Sequence, residues 1–130
     1  MCSFSLYRLT ARKYLFQVSF TGNWTTLSGL RDTTDVSASA IVKFVGKSIK
    51  LLGGRNTDHG IGACYICSSQ TSCTWFADFD AYGGAAFGQD LCHYSAPDVE
   101  LRWFKVMPKG TMSSASSGTM IDVDKFLVNY

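Results

Sequence analysis

Ala40-Ile41-Val42-Lys43-Phe44-Val45-Gly46-Lys47-Ser48-Ile49-Lys50-Leu51-Leu52-Gly53 is the stretch whose reading decides the fold. Ala40, Val42 and Phe44 alternate with Ile41, Lys43 and Val45, and Ile49 and Leu51 resume an alternation before Gly53-Gly54. Period two marks a strand with one buried face. Gly46-Lys47 interrupts the pattern and reads as a turn between two strands. The closing segment behaves alike: a Ser/Gly-rich approach ending at Gly118 supplies a loop, and Ile121, Val123 and Phe126 to Val128 supply a last strand.

Working outward, strands are expected near residues 14–20, 38–45, 48–53, 61–67, 73–80, 90–95, 99–107 and 119–128, separated by Gly-, Ser-, Thr- or Asp-rich loops without helical periodicity. The fold class is therefore all-β, a jelly-roll β-sandwich of about eight antiparallel strands. A chain of 130 residues suits one compact domain, placed at 14–130, with residues 1–13 as an N-terminal extension. In that extension Arg8, Arg12 and Lys13 follow the apolar residues, the reverse of a secretory leader, so these residues read as either an extra edge strand or a ragged start of the sequence rather than as a targeting segment. Hydrophobic residues make up 46% of the chain and charged ones 17%, which argues against disorder and coiled coils. A net charge of +2 without a Lys/Arg cluster on one face argues against nucleic acid as partner. No apolar run approaches the roughly 18 residues of a membrane-spanning helix, so no membrane insertion is expected.

The order Phe-x-Gly-x-x-Ile-x-Leu-x-Gly from Phe44 to Gly53, with Ile-Asp-x-Asp-x-Phe-x-Val from Ile121 to Val128, resembles the galactose-binding-domain-like jelly rolls. The similarity extends to the Gly-x-Trp step at Gly22-Asn23-Trp24 and to Gly62 to Cys67, and spans roughly residues 16–130. It implies a mostly non-catalytic, sugar-facing module. Related modules often hold a structural calcium ion with an acid of the last strand, which points to Asp122 or Asp124 here. The first strand offers only Gln17 and Ser19, too few hard oxygen ligands, so no metal and no other cofactor is expected.

Cys64, Cys67, Cys73 and Cys92 lie in a region that reads as sheet. Cys67 and Cys73 flank the polar turn Ser68 to Ser72, and a hairpin there sets the two sulfurs opposite each other, within reach of a disulfide. Cys64 and Cys92 then remain to pair between neighbouring strands, although four cysteines permit three connectivities, and Cys2 is odd. Zinc held by Cys64, Cys67, Cys73 and Cys92 or His93 is the rival. It ranks second because a Cys-x-x-Cys within a strand throws its sulfurs to opposite faces. Disulfides imply an oxidising, extracellular setting. The sequon Asn23-Trp24-Thr25, a candidate glycosylation site at Asn23, agrees with it.

Catalytic patterns are thin. His59 follows Asp58 in a Gly-rich loop, but no strained nucleophile elbow accompanies it. Carboxylates drawn from Asp78, Asp80, Asp90 and Asp98 lack the deep cleft that glycoside hydrolysis requires. The chain is expected not to be an enzyme. Sugar recognition needs an aromatic face and polar groups that fork around hydroxyls. Arg55, Asn56, Asp58 and His59 supply the second, and Tyr82 and Trp24 the first, with core packing as the competing role for Trp24. Trp75 and Trp103 are expected in the core. The expected function is an extracellular carbohydrate-binding or adhesion module with a glycan or glycoprotein as partner. The alternative is a structural subunit or oligomerisation module of an extracellular assembly, in which a homo-oligomer is possible.

Overall fold

The computed structural model describes residues 2–8, 15–27 and 29–129 and is all-β, with antiparallel sheets. Among the described residues there are ten strands: β1 (Cys2–Arg8), β2 (Leu15–Thr21), β3 (Thr25–Leu27), β4 (Leu30–Thr33), β5 (Ser39–Arg55), β6 (Ile61–Cys67), β7 (Cys73–Asp80), β8 (Ala86–Thr111), β9 (Ile121–Val123) and β10 (Lys125–Asn129). The large sheet runs β1-β2-β5-β8-β6-β7, with β10 also paired to β5, and a small sheet runs β3-β4-β9. Residues 2–8 join the large sheet as its edge strand on β2. Residues 9–14, between the two strands, lie outside the described residues.

The expected turn at Gly46-Lys47 is a correction. Ser39 to Arg55 is a single strand, and its pairing with β8 shifts register between Gly46 and Ser48. Before the shift Ala40, Val42 and Phe44 are buried; after it Ile49, Leu51 and Gly53 are. A bulge adds a residue, and because side chains alternate with period two it changes which parity faces the core. Sequence alternation broken by Gly looks the same for a bulge as for a hairpin. On β8 the bow opposite is longer, since Gly46 pairs with Glu100 and Ser48 with Ser95. Pro97 sits in that bow, where a missing N–H costs no ladder bond. The separate strands expected at 90–95 and 99–107 are therefore one strand, Ala86–Thr111. Conversely, residues 25–33, expected in a loop, contain β3 and β4.

The β5–β8 ribbon carries the chain between two layers. Along one edge of β5, β2 pairs with Ser39 to Lys43 and β10 with Ser48 to Leu52. Arg102 fixes the bend by donating to the carbonyls of Gly46 and Asp98, both at 3.2 Å, and pairing with Glu100 at 3.1 Å. Between the layers the rings of Phe76 and Tyr94 meet at 5.5 Å and those of Phe104 and Phe126 at 6.0 Å. Phe44, Ile49, Leu51, Ile121, Val123 and Phe126, all expected inside, are buried. A phenylalanine of this kind truncated to alanine costs about 3–5 kcal/mol.

Two disulfides are present. Cys67 and Cys73 close the β6–β7 hairpin, with Cα atoms 4.0 Å apart. Cys64 and Cys92 join inside the sandwich rather than between adjacent paired strands, because β6 is paired with the C-terminal half of β8 whereas Cys92 lies in its N-terminal half.

Candidate functional site

Where β5 ends at Arg55, the chain crosses to β6 through Asn56 to Gly60, and the β7–β8 connection lies alongside. Asn56 and Tyr82 form a β-bridge. The Asn56 amide donates to the Ala81 carbonyl at 3.1 Å, and the Gly83 amide donates to the Asn56 carbonyl at 3.2 Å. Arg55 Nη1 donates to the Asp80 carbonyl, while Asp80 Oδ1 accepts from the Tyr82 amide at 2.9 Å. Local side chain–backbone bonding also shapes the turn, since Asn56 Oδ1 accepts from the Thr57 amide at 2.8 Å. These bonds bring Arg55, Asn56 and Tyr82 to one rim, and Asp58 follows two residues on in the same loop. Asn56 and Asp58 are exposed; Arg55 and Tyr82 are half-buried.

His59 points the other way. It is buried beneath the rim, with Nδ1 2.7 Å from Asp58 Oδ1 and Nε2 2.6 Å from Asp122 Oδ2. Asp122 is itself buried and its Oδ1 accepts from the Gly54 amide. Two carboxylates facing both ring nitrogens require both to donate, the arrangement of an imidazolium. Burial opposes that charge, but hydrogen bonds and charge from Asp122 and Asp58 outweigh it and raise the His59 pKa above its ordinary value. Asp32 lies opposite Asp122 in the β4–β9 pairing. Its pKa is raised, first by burial and then by the Asp122 charge, with His59 pulling the other way.

The sequence makes room for this cluster at Gly53-Gly54. A Cβ on Gly54 would stand 2.7 Å from Asp122 Oδ2, a separation real side chains do not adopt. Ser116 closes the site from the 113–118 connection. Its hydroxyl has one proton and lies closest, at 2.7 Å, to the His59 carbonyl, with the Gly118 and Thr57 carbonyls at 2.9 and 3.1 Å. It is a clip between loops, bonded to backbone carbonyls.

Trp24 does not join the rim's bonding. Its Nε1 donates to the Thr21 carbonyl at 2.8 Å and its ring meets Phe20 edge-on at 5.1 Å, so it packs against the core. Asn23 is exposed; its amide donates to Asp35 Oδ2 at 3.0 Å, in a loop where bonds from Ser37 and then from Asn23 hold the Asp35 pKa low. The expectation that Trp75 lies in the core is corrected. It is 55% exposed, because a register shift at Cys64/Tyr65 turns it outward opposite Tyr65. Trp103 is half-buried on the same outer side.

Sequence reasoning considered Asp122 only as an ion ligand and passed over Ser116. The available signal was the Gly-Gly pair, which marks close approach by another segment, together with an acid between the apolar Ile121 and Val123. A groove of about 310 Å³ opens at the other end of β6, lined in part by Ser68, Thr74, Tyr94 and Arg102. Its guanidinium is committed to the bend described above. Among the described residues, no group of three or more His, Cys, Asp or Glu side chains has the arrangement of a metal site. No known protein family matches the chain, and no curated protein is similar to it.

Proposed function

We propose that the protein is a non-catalytic, extracellular carbohydrate-binding or adhesion module that meets its glycan at the rim. The observation that carries this reading is the Asn56–Tyr82 bridge, which sets Arg55 and Asn56 beside Tyr82 in the loop whose Asp58 bonds the buried His59. The side-chain Nδ2 of Asn56 and the second Asp58 oxygen are suited to neighbouring hydroxyls, and the Tyr82 ring to the apolar face of a pyranose. A non-catalytic role is supported by what the reactive groups do: both His59 nitrogens are held by carboxylates, and the Ser116 hydroxyl by backbone carbonyls. Two disulfides are compatible with an extracellular setting, in which Asn23 is open to glycosylation.

The test is a glycan array followed by titration of Arg55→Ala and Asp58→Ala against the best ligand. Each substitution is expected to weaken binding about tenfold, the effect of losing one charged hydrogen bond; Arg55→Ala should leave the melting temperature little changed, whereas Asp58→Ala should also lower it, because Asp58 is a partner of the buried His59. Unaltered affinity in both variants sinks the rim as the site. A second reading, a structural subunit, is favoured by one observation: β1 stands at the edge of the large sheet, where a neighbour's strand can add. Light scattering that finds a stable oligomer, with no glycan bound, supports that reading instead.

A further inference from the structure

The outer face of the layer formed by β7, β6, the C-terminal half of β8 and the N-terminal half of β5 carries an aromatic and cationic surface separate from the rim. Phe104 and Val106 point inward, so Trp103 and Lys105 point outward, and pairing places Lys43 opposite Trp103 and Lys105 opposite Tyr65. On the far side of Tyr65 stands Trp75. The Lys43 ammonium lies 5.9 Å from the Trp103 ring centre and that of Lys105 lies 5.8 Å from the Tyr65 ring centre. Lys109 is neutralised by Asp78 at 2.7 Å, whereas Lys43 and Lys105 make no ion pair among the described residues. The Trp103 indole N–H is shielded from solvent and has no acceptor among the described residues.

We infer that this face binds an acidic polysaccharide of the polyuronate kind. Sugar rings lie on Trp75, Tyr65 and Trp103 while their carboxylates draw Lys43 and Lys105 off the aromatic faces. The argument is one of charge and spacing. Each of these ammoniums, without an ion pair among the described residues, lies about 6 Å from a ring centre, so a unit stacked there must bring its own negative charge within a few ångströms of its apolar face. A uronate does so in a single residue. A nucleic acid fits less well, since two cations, Lys43 and Lys105, cannot follow a phosphate at every nucleotide, and the paired cysteines favour the compartment where polysaccharides are met. This inference extends the carbohydrate reading but shares no residue with the rim, so the failure of either leaves the other standing.

The experiment is calorimetric titration of the oxidised full chain with polygalacturonate, with neutral dextran, single-stranded DNA and salt as controls. Binding of polygalacturonate that weakens with added salt is expected. Trp75→Ala and the double variant Lys43→Ala/Lys105→Ala should each weaken it about tenfold or more. Lys50→Ala/Lys125→Ala, which removes the same charge from the other layer, should bind as the parent does. Light scattering of parent and Trp75→Ala completes the set. No binding of polygalacturonate, equal binding of dextran, tighter binding of DNA, or binding indifferent to the Trp75 and lysine substitutions overturns the inference. So does a dimer that Trp75→Ala dissolves, because the face would then be covered by a second copy.

Discussion

The two ends of β6 are fastened by different chemistry. Beside its first residue, Ile61, a buried imidazole is held between two carboxylates and clipped by the Ser116 hydroxyl. At its last residue, Cys67, a disulfide closes the hairpin to Cys73. The first fastening is strong in one protonation state and depends on every partner being present. The second is indifferent to pH and works chiefly by restricting the unfolded chain. One end therefore answers to protons and the other to reductants.

The largest break in that comparison is expected from Asp122→Ala. It strips an acceptor from His59 Nε2 and from the Gly54 amide, leaving a buried cation and a buried donor short of partners. Removing one member of a buried ion pair costs on the order of 3–5 kcal/mol. Urea unfolding would measure it, and hydrogen exchange would localise it. Amides near Ile61 should lose protection while those near Cys67 keep theirs. A variant as stable as the parent would mean that the polar cluster fills space without holding the loops.

The opposite end should respond less. Replacing Cys67 and Cys73 together by serine opens a loop of sequence separation 6, and chain-entropy reasoning puts the cost at about 2 kcal/mol. The loss should be the same at acid and neutral pH, which sharpens the contrast with the His59 end. A cost as large as that of Asp122→Ala would show that the hairpin, not the polar cluster, governs this layer.

Legibility in the sequence follows the same division. The Cys67–Cys73 pairing was readable because its determinants are local: two strands, a polar turn and matched parity. The partner of His59 was not, for Asp122 lies 63 positions away and an acid in an alternating strand ordinarily faces water. The glycines at 53 and 54 announced that another segment comes close, and the acid between Ile121 and Val123 was the other signal. The alternation of Ala40 to Phe44 and of Ile49 to Leu51 made the all-β class plain, but the bulge at Gly46 depends on β8, whose Glu100 and Ser95 set the register from far along the chain. The rim residues Arg55, Asn56 and Asp58 were found as a loop. What joins them to Tyr82 is a backbone bridge, which no side-chain pattern encodes.

The smallest expected effect is a pH dependence carried by His59. Its pKa is raised above 6.5 in the folded protein, because Asp122 and Asp58 outweigh the opposing effect of burial. The folded chain thus binds this proton more tightly than the unfolded chain. The resulting stabilisation is fully present below pH 6.5 and is lost as pH rises through the folded value, with a slope of at most about 1.4 kcal/mol per pH unit for one proton. Asp32, raised above 3.8 chiefly by burial and then by Asp122, has the same sign in an acid window. Its contribution is present below 3.8 and lost as pH rises through its own folded value. Urea unfolding of the parent, His59→Gln and Asp32→Asn between about pH 4 and pH 9 separates the two. The parent should lose stability on the alkaline side, Asp32→Asn should retain that loss, and His59→Gln should be flatter there. Parallel curves for the parent and His59→Gln would show that the imidazole between Asp58 and Asp122 gains no proton on folding, and the two ends of β6 would then differ in redox response alone.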